Sequence, residues 1–236
     1  KIFYRRVYRY CDIVHYPTRF IREVFEKETR PTDGLVISNG VNDVFFAPRP
    51  VRRTTDKFTI LCTGRYSKEK AQSVLIEAAA SAHKDDLKLI FAGDGPYKKR
   101  LIKKAEKLRL DSEFHFYSRE ELLDVLHAAD LYVHTALMEI EAISCMEAIA
   151  SGLVPVICDS ERSATRFFAV DENNLFHKND AGDLARKIDF WYENGDLIKA
   201  YKEKYAEMRR SFSQSVCMEK MEEMLESAID KHKEAT

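Results

Sequence analysis

Two carboxylates with seven residues between them, Glu139 and Glu147, are the groups in this chain best placed to do chemistry. They bound the run Glu139-Ile-Glu-Ala-Ile-Ser-Cys-Met-Glu147, which continues as Ala-Ile-Ala-Ser-Gly152. Glu139 is expected in the loop after a short strand, Leu131 to Thr135, and Glu147 inside a helix of small and apolar residues. Glu141 lies between them. A helix beginning near Glu141 would aim its first N–H groups, which have no partner inside the helix, at whatever Glu139 faces. Carboxylates accept hydrogen bonds from hydroxyls, and amide donors suit an anion or a sugar oxygen. Such a site reads polyols next to phosphates. The bland alternative is a solvated helix surface, which a lone glutamate would favour. Here the segment around Glu147 is apolar nearly all round, and a charge in such a helix is costly unless it is paired or serves a ligand.

Cations stand at another loop. Thr63-Gly-Arg65 follows a strand and Lys70 opens the next helix. Arg65 and Lys70 on one loop–helix edge, with helix N–H groups beside them, would hold a diphosphate. Alone, the pair would be two surface cations. Gly93-Asp-Gly95 supplies a turn where a ligand can approach the backbone closely, although turns of this composition are common. It is not the GxGxxG dinucleotide fingerprint, and no GxxxxGK[ST] phosphate loop is present. No Asp-x-Asp triplet appears, so a metal-bridged diphosphate is not expected, and side-chain cations and a helix dipole must do that work. Cations for a diphosphate, Glu147 for a ribose diol, and Glu139 plus amides for a hexose outline a nucleotide sugar.

The elements that must position these groups alternate regularly from residue 58. Strands are expected at Phe58 to Thr63, Leu87 to Ala92, Phe114 to Tyr117, Leu131 to Thr135 and Leu153 to Cys158, with a short sixth at Leu175 and Phe176. Between them lie helices from Lys68 to His83, from Pro96 to about Leu108, and from Arg119 to Ala128 with Ser118 as N-cap. Strand–helix alternation implies a parallel sheet wrapped by helices, with right-handed crossovers and ligands beyond the carboxyl ends of the strands. After residue 180 the chain is helical and charged: Asp180 to Trp191, Ile198 to Arg210, and a last helix from Ser213 or Ser215. Residues 1–30 read as helical with a strand near Asp12 to Tyr16, Leu35 to Gly40 as a strand and turn, and residues 47–57 as an exposed loop.

Bulk composition narrows the classes. Net charge is −1, with 38 basic and 39 acidic residues, so general nucleic-acid binding is not expected. The five cysteines lack CxxC spacing and the seven histidines form no HExxH pair, so neither a zinc site nor a disulfide frame is expected; the cysteines suit the reduced core of a cytosolic protein. No apolar run is long enough to span a bilayer. Lys98, Lys99, Arg100, Lys103 and Lys104 read as a solvated helix face, whereas Lys1 to Tyr10 mixes arginines with aromatics, as both membrane-interface segments and packed helices do. The first residue is Lys, which suggests a piece of a longer protein.

At these residues the chain resembles the retaining glycosyltransferases built from two Rossmann-like domains, the GT-B architecture, and within them the family 4 group. The resemblance rests on Ser38-Asn-Gly-Val41, Gly64-Arg65 with Glu69-Lys70, Gly93-Asp-Gly-Pro96 and the element from Glu139 to Glu147, in register across residues 38–158. Gly64 to Ile76, Val154 to Ile157 and Ser163 to Arg166 look like bacterial cholesterol α-glucosyltransferases, relatives of enzymes that glucosylate diacylglycerol. The resemblance implies that Arg65 and Lys70 bind the donor diphosphate and, with Glu139, serve catalysis. It implies that Glu147 binds the ribose, that Glu139 and the amides at Ala142 and Ile143 hold the hexose, and that His115 to Tyr117 flank the base beside Gly93. The donor it implies is UDP-glucose, used without metal or cofactor, with front-face attack and retention. Two departures stand out. Ala71 replaces a usual glycine, and Glu141-Ala142 replaces a usual Phe-Gly, which narrows the backbone approach to the sugar.

The domain expectation is a tail of an N-terminal acceptor domain at 1–37, a donor-binding Rossmann-like domain at 38–210 and a C-terminal helix at 211–236. With most of the acceptor domain missing, the chain is expected to bind donor and catalyse nothing alone. The acceptor implied by kinship is a membrane lipid, a sterol or diacylglycerol, met at the cytoplasmic face. A nucleotide-sugar-binding module or regulatory subunit needing a separate partner is the competing expectation. An NAD-dependent oxidoreductase lacks its glycine fingerprint.

Overall fold

The computed structural model describes residues 8–51 and 53–235. Most of the aromatic and basic stretch Lys1 to Tyr10, residues 1–7, lies outside them. Near the start, β1 (Val14–Tyr16) and β2 (Gly34–Val36) form a small parallel pair joined by α1 (Arg19–Glu28), whose N-cap Thr18 accepts from the Ile21 amide.

The main sheet has six parallel strands: β3 (Phe58–Thr63), β4 (Leu87–Ala92), β5 (Ser112–His115), β6 (Leu131–His134), β7 (Pro155–Asp159) and β8 (Leu175–His177). Their spatial order is β5-β4-β3-β6-β7-β8. The chain therefore builds outward from β3 to β5, then returns to the other side of β3 and builds outward again. Ile60 pairs with Leu131 and Leu61 with Tyr132 across that return. The central strands are continuous apolar runs because helices cover both faces. Those helices are α2 (Ser73–Ser81), α3 (Lys98–Lys107), α4 (Arg119–Ala128), α5 (Ile143–Ala150) and α6 (Ala181–Glu193). Leu75, Ile76 and Ala78 of α2 and Leu184, Ile188 and Trp191 of α6 are buried in the core. Ser118 caps α4, as the sequence suggested, in a reciprocal capping box with Glu121.

The last two helices are α7 (Gly195–Ser211) and α8 (Gln214–Ala235). Val41 is clamped between them: its amide donates to Phe212 and its carbonyl accepts from Gln214. Gly40 adopts φ +74°, and a Cβ there would lie 2.8 Å from the Gln214 Cα. The helix α8 thus returns to residues 13–37, where Cys217 and Met224 bury Ile37 and pack with Ile13 and Met221.

Three expectations need correction. The helix expected from Lys68 begins only at Ser73, because Ala71 sits in the left-handed region at φ +49° and turns the chain first. The strand expected at Phe114 to Tyr117 lies two residues earlier, where its pairing with β4 ends at His115. The strand expected from Leu35 spans Gly34–Val36 and stops short of Gly40. Cys62, Cys145, Cys158 and Cys217 are buried free thiols, and Lys99, Arg100 and Lys103 are exposed on α3.

Candidate functional site

In a doubly wound parallel sheet, ligands bind where the winding reverses, outside the carboxyl ends of the strands. Here that point lies between β3 and β6. The loops after Thr63 and Thr135 meet there, together with the N-terminus of α5. A cleft of about 310 Å³ opens at this place, lined by Arg65, Gly93, Phe116, Tyr117, Ser144 and Glu147 among others. Four residues singled out from the sequence, Arg65, Gly93, Tyr117 and Glu147, therefore share one cavity.

Glu147 lies in the second turn of α5, half-buried, and its carboxyl has no hydrogen bond to any described residue. Burial pushes its carboxyl up to about 7, opposed by the charge of Arg119. An acid that burial has destabilised and no donor satisfies is poised for hydroxyls from outside. At the opposite wall, Phe116 is 71% exposed. Tyr117 donates to Glu113, and burial followed by that bond pushes its phenol up.

Gly93 is packed closely against the preceding loop. A Cβ there would fall 2.1 Å from the Gly64 carbonyl oxygen. The missing side chain leaves room for the neighbouring loop, while Gly93 also lines the cleft. The two loops are laced together by Gly64 N–H to the Ala92 carbonyl, Tyr66 N–H to Asp94 and Tyr97 N–H to Tyr66.

Glu139 and Lys70 form an ion pair beside the cleft, on the loops that follow β6 and β3. The two loops are also tied by Thr135 Oγ1 to the Lys70 carbonyl, 2.7 Å, and by the Leu137 amide to the Glu69 carbonyl, 2.8 Å. Lys70 is absent from the lining of the cleft that holds Arg65. Burial raises the Glu139 carboxyl, but the His134 hydrogen bond and the Lys70 charge and hydrogen bond outweigh it and hold it below the ordinary value. At the start of α5, Ala142 is left-handed at φ 59° and ψ 57° and offers no side-chain cap. The amides of Ala142, Ile143 and Ser144 have no acceptor among the described residues, so this helix start keeps its donors free.

Sequence reasoning missed two features. Glu141 faces neither the cleft that Glu147 lines nor the Glu139–Lys70 pair. It is 5% exposed and accepts from Ser38 Oγ, Asn39 N–H and Asn39 Nδ2. The hydroxyl–amide pair in Ser38-Asn39 was its only signal. His134, behind Glu139, read as an ordinary strand residue; its place five residues before a loop glutamate was the available clue. Among the described residues, no group of three or more His, Cys, Asp or Glu is arranged to hold a metal ion.

A model of the glycosyl transferases group 1 family matches residues 44–209. The chain belongs to this family. This glycosyltransferase is 46% identical to the catalytic domain of cholesterol-α-glucosyltransferase from Helicobacter pylori, over 66% of its own length and 99% of that chain, with a TM-score of 0.64. It also shares its fold with Anabaena Alr3699/HepE, solved in complex with UDP and glucose: TM-score 0.80 and 19% identity, over 96% of this chain and 68% of that one. It is 34% identical over 104 residues to alpha-monoglucosyldiacylglycerol synthase of Streptococcus pneumoniae, covering 42% of this chain and 23% of the other. The chain spans about half the length of the curated relatives it matches first. The family resemblance and the α/β fold expected from the sequence both stand.

Proposed function

We propose that this glycosyltransferase binds UDP-glucose at the β3–β6 reversal and transfers glucose with retention. The observation that carries the reading is the shared cleft, which sets a cation, Arg65, opposite an unsatisfied carboxyl, Glu147, beside the free amides of α5. The diphosphate would lie between Arg65 and the amides of Ile143 and Ser144. The ribose diol would donate to Glu147. Phe116 and Tyr117 would face the base, and Glu139 the hexose. In transfer, the acceptor oxygen bonds to the anomeric carbon as the bond to the diphosphate oxygen breaks, and the acceptor proton passes to the leaving phosphate. The charge that develops there is stabilised by Arg65, Lys70 and the helix start.

No cofactor is invoked, and binding is expected without metal. Calorimetry of the chain with UDP and with UDP-glucose, each with and without EDTA, tests this. Equal affinity with and without chelator is expected. Loss of binding on chelation would overturn the metal-free reading, and no binding of either nucleotide would overturn the donor site.

The acceptor we propose is a membrane lipid, which the names of the Helicobacter and Streptococcus relatives support. So does a cavity of about 550 Å³ between α1, α5 and the end of α7, walled by Phe20, Val36, Met146, Phe167, Phe168 and Phe212. It opens beside the Glu139 loop, where Thr18 donates to the Ile140 carbonyl. The enzyme would then work at the cytoplasmic membrane surface with an acceptor-binding region beyond this chain; no described helix is long and apolar enough to cross a membrane. Transfer by the longer protein to sterol-containing liposomes should exceed transfer to a soluble sugar and fall with added salt. Faster transfer to the soluble sugar, indifferent to liposomes, would sink the lipid acceptor and leave the donor site standing.

A further inference from the structure

Behind Glu139 runs a buried line of hydrogen bonds that the donor chemistry does not itself require. Thr63 Oγ1 and the Tyr132 hydroxyl are 2.9 Å apart, Tyr132 lies 3.1 Å from His134 Nδ1, and His134 Nε2 lies 3.1 Å from Glu139 Oε1. Tyr132 is fully buried, His134 and Thr63 nearly so. The Tyr132 hydroxyl also lies 3.4 Å from Ser144 Oγ. Lys70 meets the same oxygen, Glu139 Oε1.

Elementary bonding orders the protons along this line. An ionised carboxylate only accepts, so His134 Nε2 must carry hydrogen. Burial holds the imidazole below its ordinary value, against the pull of Glu139, so the ring is neutral near pH 7. A neutral ring with Nε2–H leaves Nδ1 as an acceptor. Its neighbour there is the Tyr132 hydroxyl, which donates to it over the shorter 3.1 Å contact rather than to Ser144 Oγ at 3.4 Å. Thr63 then donates to Tyr132.

We propose that His134 is a positioning residue for the transferred hexose: its Nε2–H and Lys70 together hold Glu139 Oε1, Tyr132 fixes the His134 tautomer, and Glu139 Oε2 is left free and aimed for a sugar hydroxyl. This rests on the donor reading above. Glu139 stands in a loop, and a glutamate side chain has three rotatable torsions that a ligand would otherwise have to freeze. Both bonds fall on one oxygen, and Oε2 has no partner among the described residues. The arrangement orients an acceptor group as outer partners orient a metal ligand. A shift of about 1 Å in such a group is enough to cost a large factor in rate.

The test compares Kd for UDP with Kd for UDP-glucose in the 236-residue chain. The ratio of the two reads the hexose alone. His134→Phe should leave UDP binding unchanged and cut the advantage of UDP-glucose about tenfold, the equivalent of one charge-assisted hydrogen bond. Tyr132→Phe should cut it about threefold. His134→Gln, which keeps a donor at the Nε2 position, should retain most of it. Equal loss of both nucleotides, or no rescue by His134→Gln, would overturn the positioning role in favour of a purely structural one. Nitrogen-15 NMR of the histidines separates this inference from its foundation. A neutral Nε2–H tautomer is expected for His134 at pH 7, and an Nδ1–H tautomer or an imidazolium overturns the inference alone. Failure of the wild type to bind either nucleotide overturns the donor reading and takes the inference with it.

Discussion

Glu147→Gln is expected to stabilise the ligand-free protein at pH 8 while weakening its hold on UDP. The carboxyl has an ordinary value of 4.5 when exposed and is pushed up to about 7 by burial in the fold. Between those values the folded state keeps a proton that the unfolded state has released. Stability contributed by this site therefore falls as pH rises from 4.5 and levels off above 7. The full penalty above pH 7 is on the order of 2–3 kcal/mol, and glutamine, which cannot ionise, removes it. Denaturant midpoints of the two proteins should coincide near pH 4 and diverge above pH 7, with the variant higher. A variant less stable at pH 8 would show that an unseen cation already satisfies the carboxylate.

Binding should move the other way. The ribose hydroxyls need an ionised acceptor, and losing one charged hydrogen bond costs about 1.5–3 kcal/mol. Wild-type affinity for UDP should rise by up to about tenfold between pH 6 and pH 8 as Glu147 ionises. The terminal phosphate of UDP also titrates, near pH 6, but it does so in both proteins. The difference between wild type and variant isolates Glu147. A pH profile identical in the two proteins would remove Glu147 from the nucleotide site.

The contrast between Glu147 and Glu141 explains how far the sequence could be read. Glu147 was legible because its neighbours are apolar on every side, so local sequence alone showed an anomaly. Glu141 was not, because its partners Ser38 and Asn39 stand 103 and 102 residues away and only the fold brings them together. The strands were legible as apolar runs ending in turns. Their order was not, since the return from β5 to the far side of β3 leaves no local mark. Ala71 and Ala142 misled or hid in the same way. Alanine is a good helix former, and nothing local announces a left-handed alanine; its cost of about 1–2 kcal/mol is imposed by tertiary contacts. At Ala71 the Val74 amide bonds to its carbonyl, so the turn resembles a helix start while pointing elsewhere. Gly93 was correctly marked as a close approach, but only coordinates tell whether a backbone or a ligand makes it.

Lys70→Met is expected to destabilise the protein and to blind it to the sugar, and the double change Lys70→Met with Glu139→Gln should restore the first but not the second. The side chains of Lys70 and Glu139 are 22% and 12% exposed, so the pair is largely withdrawn from water. Removing one partner leaves a withdrawn charge with His134 alone, a loss of about 3 kcal/mol for well-buried pairs. Removing both charges leaves an amide that can still accept from His134, and much of the loss should return. The acid limb provides a sign check. Glu139 is held below 4.5 in the fold, so its contribution is complete above that value and is lost as pH falls through the depressed one. Without Lys70 the depression shrinks, and the gap between wild type and Lys70→Met should narrow on acidification. Donor binding follows a different rule. Lysine has three N–H donors and Glu139 takes one, which leaves two for diphosphate oxygens. The double variant lacks those donors and the carboxylate together, so neither UDP nor the sugar regains its contact. Measuring unfolding free energy and UDP-glucose affinity on the four proteins of this cycle decides the matter. Recovery of both properties in the double variant would mean that the ion pair only holds two loops together, and that the diphosphate rests on Arg65 and the start of α5 without Lys70.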